Sequence, residues 1–372
     1  MRIHPAVRRR GTRAPHLAIA AVLAVGALLV ALDAPVQASS RAHGIGVDTR
    51  SSGSARATLA AKATGYDFGS PDAITSSGGF VWVVSPSSGS VTELTAATDK
   101  LVRVVRGKAY HFDYPDSIAV DRSHVWVADL YGYCVTEFSA STGRLVRIIK
   151  GSKYHLVLPS GIVSDGTHVW IASGTGNSVT ELAASTGALI RVVMGAQYGF
   201  AHPSALAVSG SHLWVANSYG TSVTEVNAST GGFIRIRKGA GYGFTYPSAV
   251  ITRAGSVWVA SSSYRSSLTE LSNATGALMR VVRGPRYGLS YSVSVASDAR
   301  GHLWIANASN SVTELTAASG SLVRVLTARA FGFSLPDSIT SDGLHVWVAN
   351  HKANTVTELD AATGKLVRIL RN

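Results

Sequence analysis

Residues 336–372 read PDSITSDGLHVWVANHKANTVTELDAATGKLVRILRN, and this stretch decides the fold. Four short β-rich segments lie in it: Ser338–Thr340, His345–Ala349, Thr355–Leu359 and Leu366–Leu370. Turn residues such as Asp342-Gly343 and Thr363-Gly364 bound them, and helical periodicity is absent. The loop Ala362-Thr363-Gly364 puts Gly at the left-handed position of a bulged hairpin. With that turn fixed, Glu358 falls directly opposite Arg368 across the third and fourth strands.

Working outward, the same unit recurs back to Pro71 at a spacing of about 44 residues. Trp falls at 82, 126, 170, 214, 258, 304 and 347, and Glu at 93, 137, 181, 225, 270, 314 and 358. Each Glu precedes an Arg by ten residues, so the cross-strand pair repeats in every unit. An acid repeated around a ring and paired each time is structural, and the Trp read as blade-core aromatics. His124, His168, His212, His302 and His345 share one repeat position, two before Trp, and read as turn-end residues. Four strands per unit, seven times over, predict an all-β, seven-bladed β-propeller of four-stranded antiparallel blades. A linear solenoid is disfavoured, because no polar capping repeat is present.

The unit Val-Trp-Val-Ala-Asn, then Ser-Val-Thr-Glu-Leu, then Thr-Gly, resembles the bacterial YVTN- and NHL-type propeller repeats. It is also distantly similar to the repeats of the virginiamycin B lyase group. The resemblance spans residues 71–372 and implies the propeller fold. These families include binding, scaffold and catalytic members, so fold alone does not give function. For the lyase group the resemblance implies a His-Glu-His constellation on one face, whereas every Glu here occupies the ladder position.

Composition sets the outer bounds. The 372 residues are 46% hydrophobic and 15% charged, which excludes a wholly disordered chain. Residues 1–16 are basic, Leu17 to Leu32 are uninterrupted apolar, and small residues follow up to Ala38. Residues 1–38 therefore read as a secretory signal, or as an uncleaved signal anchor. Residues 39–65 read as a flexible Ser/Ala/Gly-rich linker and residues 66–372 as the propeller. The expected location is secreted or extracytoplasmic, with membrane tethering only if the leader stays attached. The net charge of +13 is spread without a basic run of five, so no nucleic-acid partner is expected. The single Cys134 excludes an intrachain disulfide and reads as a small unreactive side chain.

Function should lie where the repeat breaks. In such propellers the fourth-to-first and second-to-third connections share one face. The residue that starts the innermost strand reads as Ser160, Ser204, Ser248 and Ser292 in four blades, but as Asp72, Asp116 and Asp337 in the other three. Those three blades become contiguous when the ring closes. Their carboxylates suit Ca²⁺ or another divalent cation, and turn chemistry is the alternative reading. His111, Asp113 and His155 lie on adjoining loops and are candidates for acid–base catalysis. Lys108, Tyr110, Lys153, Tyr154, Arg286, Tyr287 and Arg329 form a candidate basic, aromatic ligand-binding rim. The leading expectation is a binding or scaffold module whose loop face takes a protein, a cell-wall glycan or an anionic small ligand. The alternatives are a metal-assisted hydrolase or lyase using the Asp and His group, and a rigid spacer.

Overall fold

The computed structural model describes residues 65–372 apart from Arg122 and Ala328. The expected leader and nearly all of the expected linker lie outside the described residues. The described chain forms seven four-stranded antiparallel sheets, each built from consecutive strands in chain order. Blade one comprises Ala73–Ser77, Phe80–Ser85, Ser90–Thr95 and Leu101–Arg106. Blade seven comprises Pro336–Ser341, His345–Asn350, Thr355–Asp360 and Leu366–Arg371. The first strands of neighbouring blades touch one another around the ring, so they are innermost and the fourth strands are outermost.

The second strands are near-continuous apolar runs because both of their faces are covered. In blade two, Val125 and Val127 pack with Trp82 of blade one, while Trp126 and Ala128 pack with Val169 and Ile171 of blade three. One such cluster fills each of the seven junctions, so the core is a ring of wedges. All seven Trp are buried within it.

The predicted Glu–Arg register is observed in every blade, with Glu358 opposite Arg368 and a bulge immediately after. Gly364 takes the left-handed φ of 66° that this turn requires. Each Arg Nε lies 2.5–3.0 Å from a carboxylate oxygen of its Glu. The sequence did not foretell what the rest of the guanidinium does. It crosses to the next blade, where Arg103 donates to Ser141 O at 2.8 Å and Arg280 to Ala318 O at 3.0 Å. The turn Gly of that next blade lies against the Arg stem. A Cβ on Gly187 would stand 2.7 Å from Cδ of Arg147. The Thr-Gly turn thus serves both the hairpin and the blade junction.

Ring closure uses side chains, since among the described residues no blade borrows a strand from the other end of the chain. Phe68 N donates to Oδ1 of Asn372 at 2.8 Å, and Phe68 itself packs against Trp347 and Leu370. Ile74 N donates to Ser338 Oγ at 3.1 Å, and Ser76 Oγ to Ser341 O at 2.8 Å. Asp99 stands where the other blades have the turn Gly, at φ 52°. Its carboxylate accepts from Trp347 Nε1 at 3.1 Å and meets Arg368 Nε at 2.9 Å. Only at this junction does an acid replace the glycine.

Candidate functional site

The face that holds the fourth-to-first and second-to-third connections will be called the upper face. Each first strand begins there, and in blades two to seven the register slips at that start. The slip leaves one bulged residue, a geometry that re-aims a side chain. In blades three to five this residue is Ser. Ser204 Oγ donates to Pro247 O at 3.2 Å and Ser248 Oγ to Ser292 O at 2.8 Å, each bridging to the next blade. Ser292 corrects the sequence reading: it pairs with Asn307 as Pro247 pairs with Ser261, so it holds the proline position. Val293 is the bulged residue of blade six, because that repeat lacks the proline that anchors the alignment.

Asp72, Asp116 and Asp337 occupy the corresponding place in blades one, two and seven. Among the described residues none of the three bonds to a carbonyl of the next blade, as Ser204 and Ser248 do. The three acids instead gather at the ring seam. Asp116 and Asp337 are each only 2% exposed, and Oδ2 of Asp116 and Oδ1 of Asp337 have no hydrogen-bond partner among the described residues. Burial, reinforced by Asp72 and by each other's charge, pushes Asp116 far above the usual carboxylate range. Asp337 moves the same way, through burial and then Asp72.

His351, which was not among the residues expected to form a site, completes the group. Its Nδ1 is in hydrogen-bond contact with Asp72 Oδ1 and lies 3.5 Å from Asp337 Oδ2. The Asp72 bond raises the His351 pKa against the opposing effect of burial. Tyr114 Oη stands 3.4 Å from the other Asp72 oxygen. Ligand atoms of Asp72, Asp337 and His351 all lie within 4.8 Å of one another. The signal for His351 was in the sequence. At that repeat position the other blades have Pro86, Leu130, Gly174, Ser218, Ser262 and Ala308.

The acid–base candidates are placed differently. His111 and His155 cap short 3₁₀ turns in the left-handed conformation, at φ 54° and 50°, where blades four and five are entered through Gly199 and Gly243. His111, Asp113 and His155 are exposed, and among the described residues no hydrogen bond or ion pair joins their side chains. Asp113 contributes its backbone N–H, at 2.7 Å, to Asp129.

The proposed rim divides in two. Lys108, Lys153, Arg286 and Arg329 are exposed on turns that follow the outermost strands, so they lie at the periphery. Arg106, Lys150, Lys238, Arg283 and Arg371, at the upper ends of those strands, extend the basic rim. The tyrosines between them face inward. Tyr110 Oη donates to Gly143 O of the next blade at 2.8 Å, and Tyr154 packs on a blade junction. Tyr287 is buried, with Arg286 over its ring at 4.7 Å and donating to its hydroxyl.

The exposed aromatics of this face are others. Tyr131, Tyr133, Tyr219, Tyr246, Tyr264 and Tyr291 are between 48% and 72% exposed. Tyr246 and Tyr291 immediately precede the innermost strands, and the rest lie on second-to-third connections. His202 stacks on Tyr219 at 4.5 Å, and Tyr219 meets Tyr246 edge-on at 6.4 Å across a blade junction. Between this arc and the basic rim a pocket is lined by Thr221, Phe244, Arg265 and Arg283, among others.

The opposite face carries the repeated His. His212 Nδ1 lies 2.6 Å from Glu225, and His302 Nδ1 lies 3.0 Å from Glu314 and 3.4 Å from Asp298. Asp298, His302 and Glu314 also come within 4.8 Å, but Glu314 already holds Arg324 at 2.7 Å. Cys134 is buried, and that burial pushes its thiol up to about 11.

No family model matches the chain, and no curated protein matches it. Solved structures do resemble it. A chain of Kuenenia stuttgartiensis hydrazine synthase has a TM-score of 0.65 and 18% identity, covering 83% of this chain and 99% of that one. The computationally designed Ika8 protein has a TM-score of 0.62 and 16% identity, covering 84% of this chain and 89% of its own. A streptogramin B lyase has a TM-score of 0.58 and 16% identity, covering 69% of this chain and 83% of its own. The chain is therefore a seven-bladed β-propeller with a lyase propeller among its structural neighbours. At these identities the likeness is one of fold alone.

Proposed function

We propose that this protein is an exported binding module whose upper face takes an anionic glycan. The observation that carries this reading is the arc of six exposed tyrosines on one face, bordered by the basic rim. Tyr presents a flat apolar ring with a polar edge, which suits the faces and hydroxyls of sugar rings. An exposed aromatic patch rimmed by polar groups marks an interaction site. The outer Lys and Arg would pair with carboxylate or phosphate groups along the chain. Export rests on the leader pattern of residues 1–38.

The test is binding of a uronic-acid polysaccharide to the full-length chain, beside a neutral polysaccharide of similar length. Preference for the anionic chain, weakened by salt and lost in Tyr219→Ala/Tyr264→Ala, is the expected result. Equal binding by that variant would overturn the reading.

A second reading, a metal-assisted hydrolase or lyase, is favoured by the cluster of Asp72, Asp337 and His351. It does not extend to a His-Glu-His mechanism, because all seven Glu of the repeats already pair with Arg. Turnover of a ligand retained by the upper face, abolished in His351→Gln, would favour the enzyme.

A further inference from the structure

We infer that Asp72, Asp337 and His351 form a binding site for one divalent transition-metal ion, with the buried Asp116 beside it, set on the seam where blade seven meets blade one.

The first support is the donor set. Two carboxylates and one imidazole nitrogen converge, with ligand atoms of Asp72, Asp337 and His351 mutually within 4.8 Å. The second support is independent of that convergence. Asp116 and Asp337 are almost wholly buried, and each has a carboxylate oxygen without any partner among the described residues. Both lie close enough to Asp72 for its charge to bear on them. A buried carboxylate without a donor is costly unless it is neutralised or coordinates a metal. The neighbouring Asp129 shows how this fold treats a structural acid. It accepts backbone N–H bonds from Asp113, Tyr114 and Gly132, at 2.7–3.1 Å. Asp116 and Asp337 are given no such donors.

On binding, a divalent ion takes the Nδ1 lone pair of His351, and the proton from that nitrogen leaves to solvent.

The imidazole decides the class of ion. Ca²⁺ and Mg²⁺ prefer all-oxygen shells, whereas mixed nitrogen and carboxylate donors suit Zn²⁺ or Mn²⁺. The expected order of affinity is Zn²⁺ above Mn²⁺ above Ca²⁺. The second group of Asp298, His302 and Glu314 is not expected to bind, because Arg324 already supplies its positive charge.

Calorimetric titration of the chelator-treated full-length chain with Zn²⁺, Mn²⁺ and Ca²⁺ tests the site, read beside thermal unfolding. One equivalent of Zn²⁺ should bind, release a proton and raise Tm. Asp337→Asn should lower that affinity on the order of 100-fold and abolish the rise in Tm. Without metal, Asp337→Asn should unfold at or above the wild-type temperature, because it removes an unpartnered buried carboxylate. That separates loss of the site from loss of the fold. His302→Gln should leave Zn²⁺ binding unchanged. No Zn²⁺ binding by the wild-type chain would overturn the assignment. So would equal binding by Asp337→Asn, or binding lost only in His302→Gln.

Discussion

The two faces of the ring handle charge in opposite ways. On the lower face every Glu is held by an Arg of its own blade, and five blades add a His beside it. The motif repeats, and each copy has a guanidinium of its own blade beside it. On the upper face the corresponding belt is a set of Ser hydroxyls in blades three to five that bridge to the next blade; blade six has Val293 there, and blades seven, one and two have Asp. In the last three the hydroxyl becomes a carboxylate, and one oxygen each of Asp116 and Asp337 has no partner among the described residues. Repetition with a partner marks structure, and departure without one marks a place where something else is to be bound.

The sharpest way to break this contrast is to remove one lower-face acid. Glu225→Ala leaves Arg235 and His212 without their shared partner and should cost about 3 kcal/mol in denaturant unfolding. A cost below about 1 kcal/mol, that of an ordinary exposed pair, would make the lower belt no more structural than the surface.

The pH profile comes next. Burial pushes the Glu93 and Glu137 carboxyls up to about 7, against the lowering effect of Arg103 and Arg147. Between the ordinary Glu value of about 4.3 and that raised value, the folded chain holds more protons than the unfolded one. Stability should therefore be fullest below that interval and fall as pH rises to about 7. A Tm that climbs over this range would show that Arg pairing outweighs burial.

The seam gives a smaller effect. Asn372→Ala removes both hydrogen bonds to Phe68 and should cost about 1 kcal/mol. Thermal unfolding beside Asn354→Ala, which loses the more exposed bond to Ser70, would rank the two closures. Smallest of all is Tyr264→Ser, expected within about 0.5 kcal/mol of wild type. An unfolding change much above that would place Tyr264 in the structure instead of on the binding arc.

Much of the fold could be read directly, because the period is carried by rare residues. The seven Trp and seven Glu fix both the blade count and the third-to-fourth register. The Asp arc was legible as a break in that period. His351 was legible only through a column-by-column comparison, because it follows a strand whose repeat looks regular. The exposed tyrosines escaped for another reason. Tyr110 lies on a fourth-to-first connection and its hydroxyl reaches the next blade, whereas Tyr219 lies on a second-to-third connection and its ring is exposed. Which way a ring turns follows the position it holds on its connection, since Tyr198 at the position of Tyr110 makes the same bond to the next blade. The Ser292 misplacement arose because a missing proline removed the landmark.

The clasp between Phe68 and Asn372 also bears on how the ring comes to exist. Every sheet is assembled from one uninterrupted stretch of about 44 residues, so most pairing is between near neighbours in the chain. The seam alone joins partners as far as 304 positions apart. The entropy of closing so long a loop grows only slowly with length, but it cannot be met until the final strand has been made. Blades can condense one after another while synthesis proceeds, as low contact order favours. Through all of that time the flank of the first blade, with Phe68 awaiting Trp347, is the sticky edge of an unfinished protein.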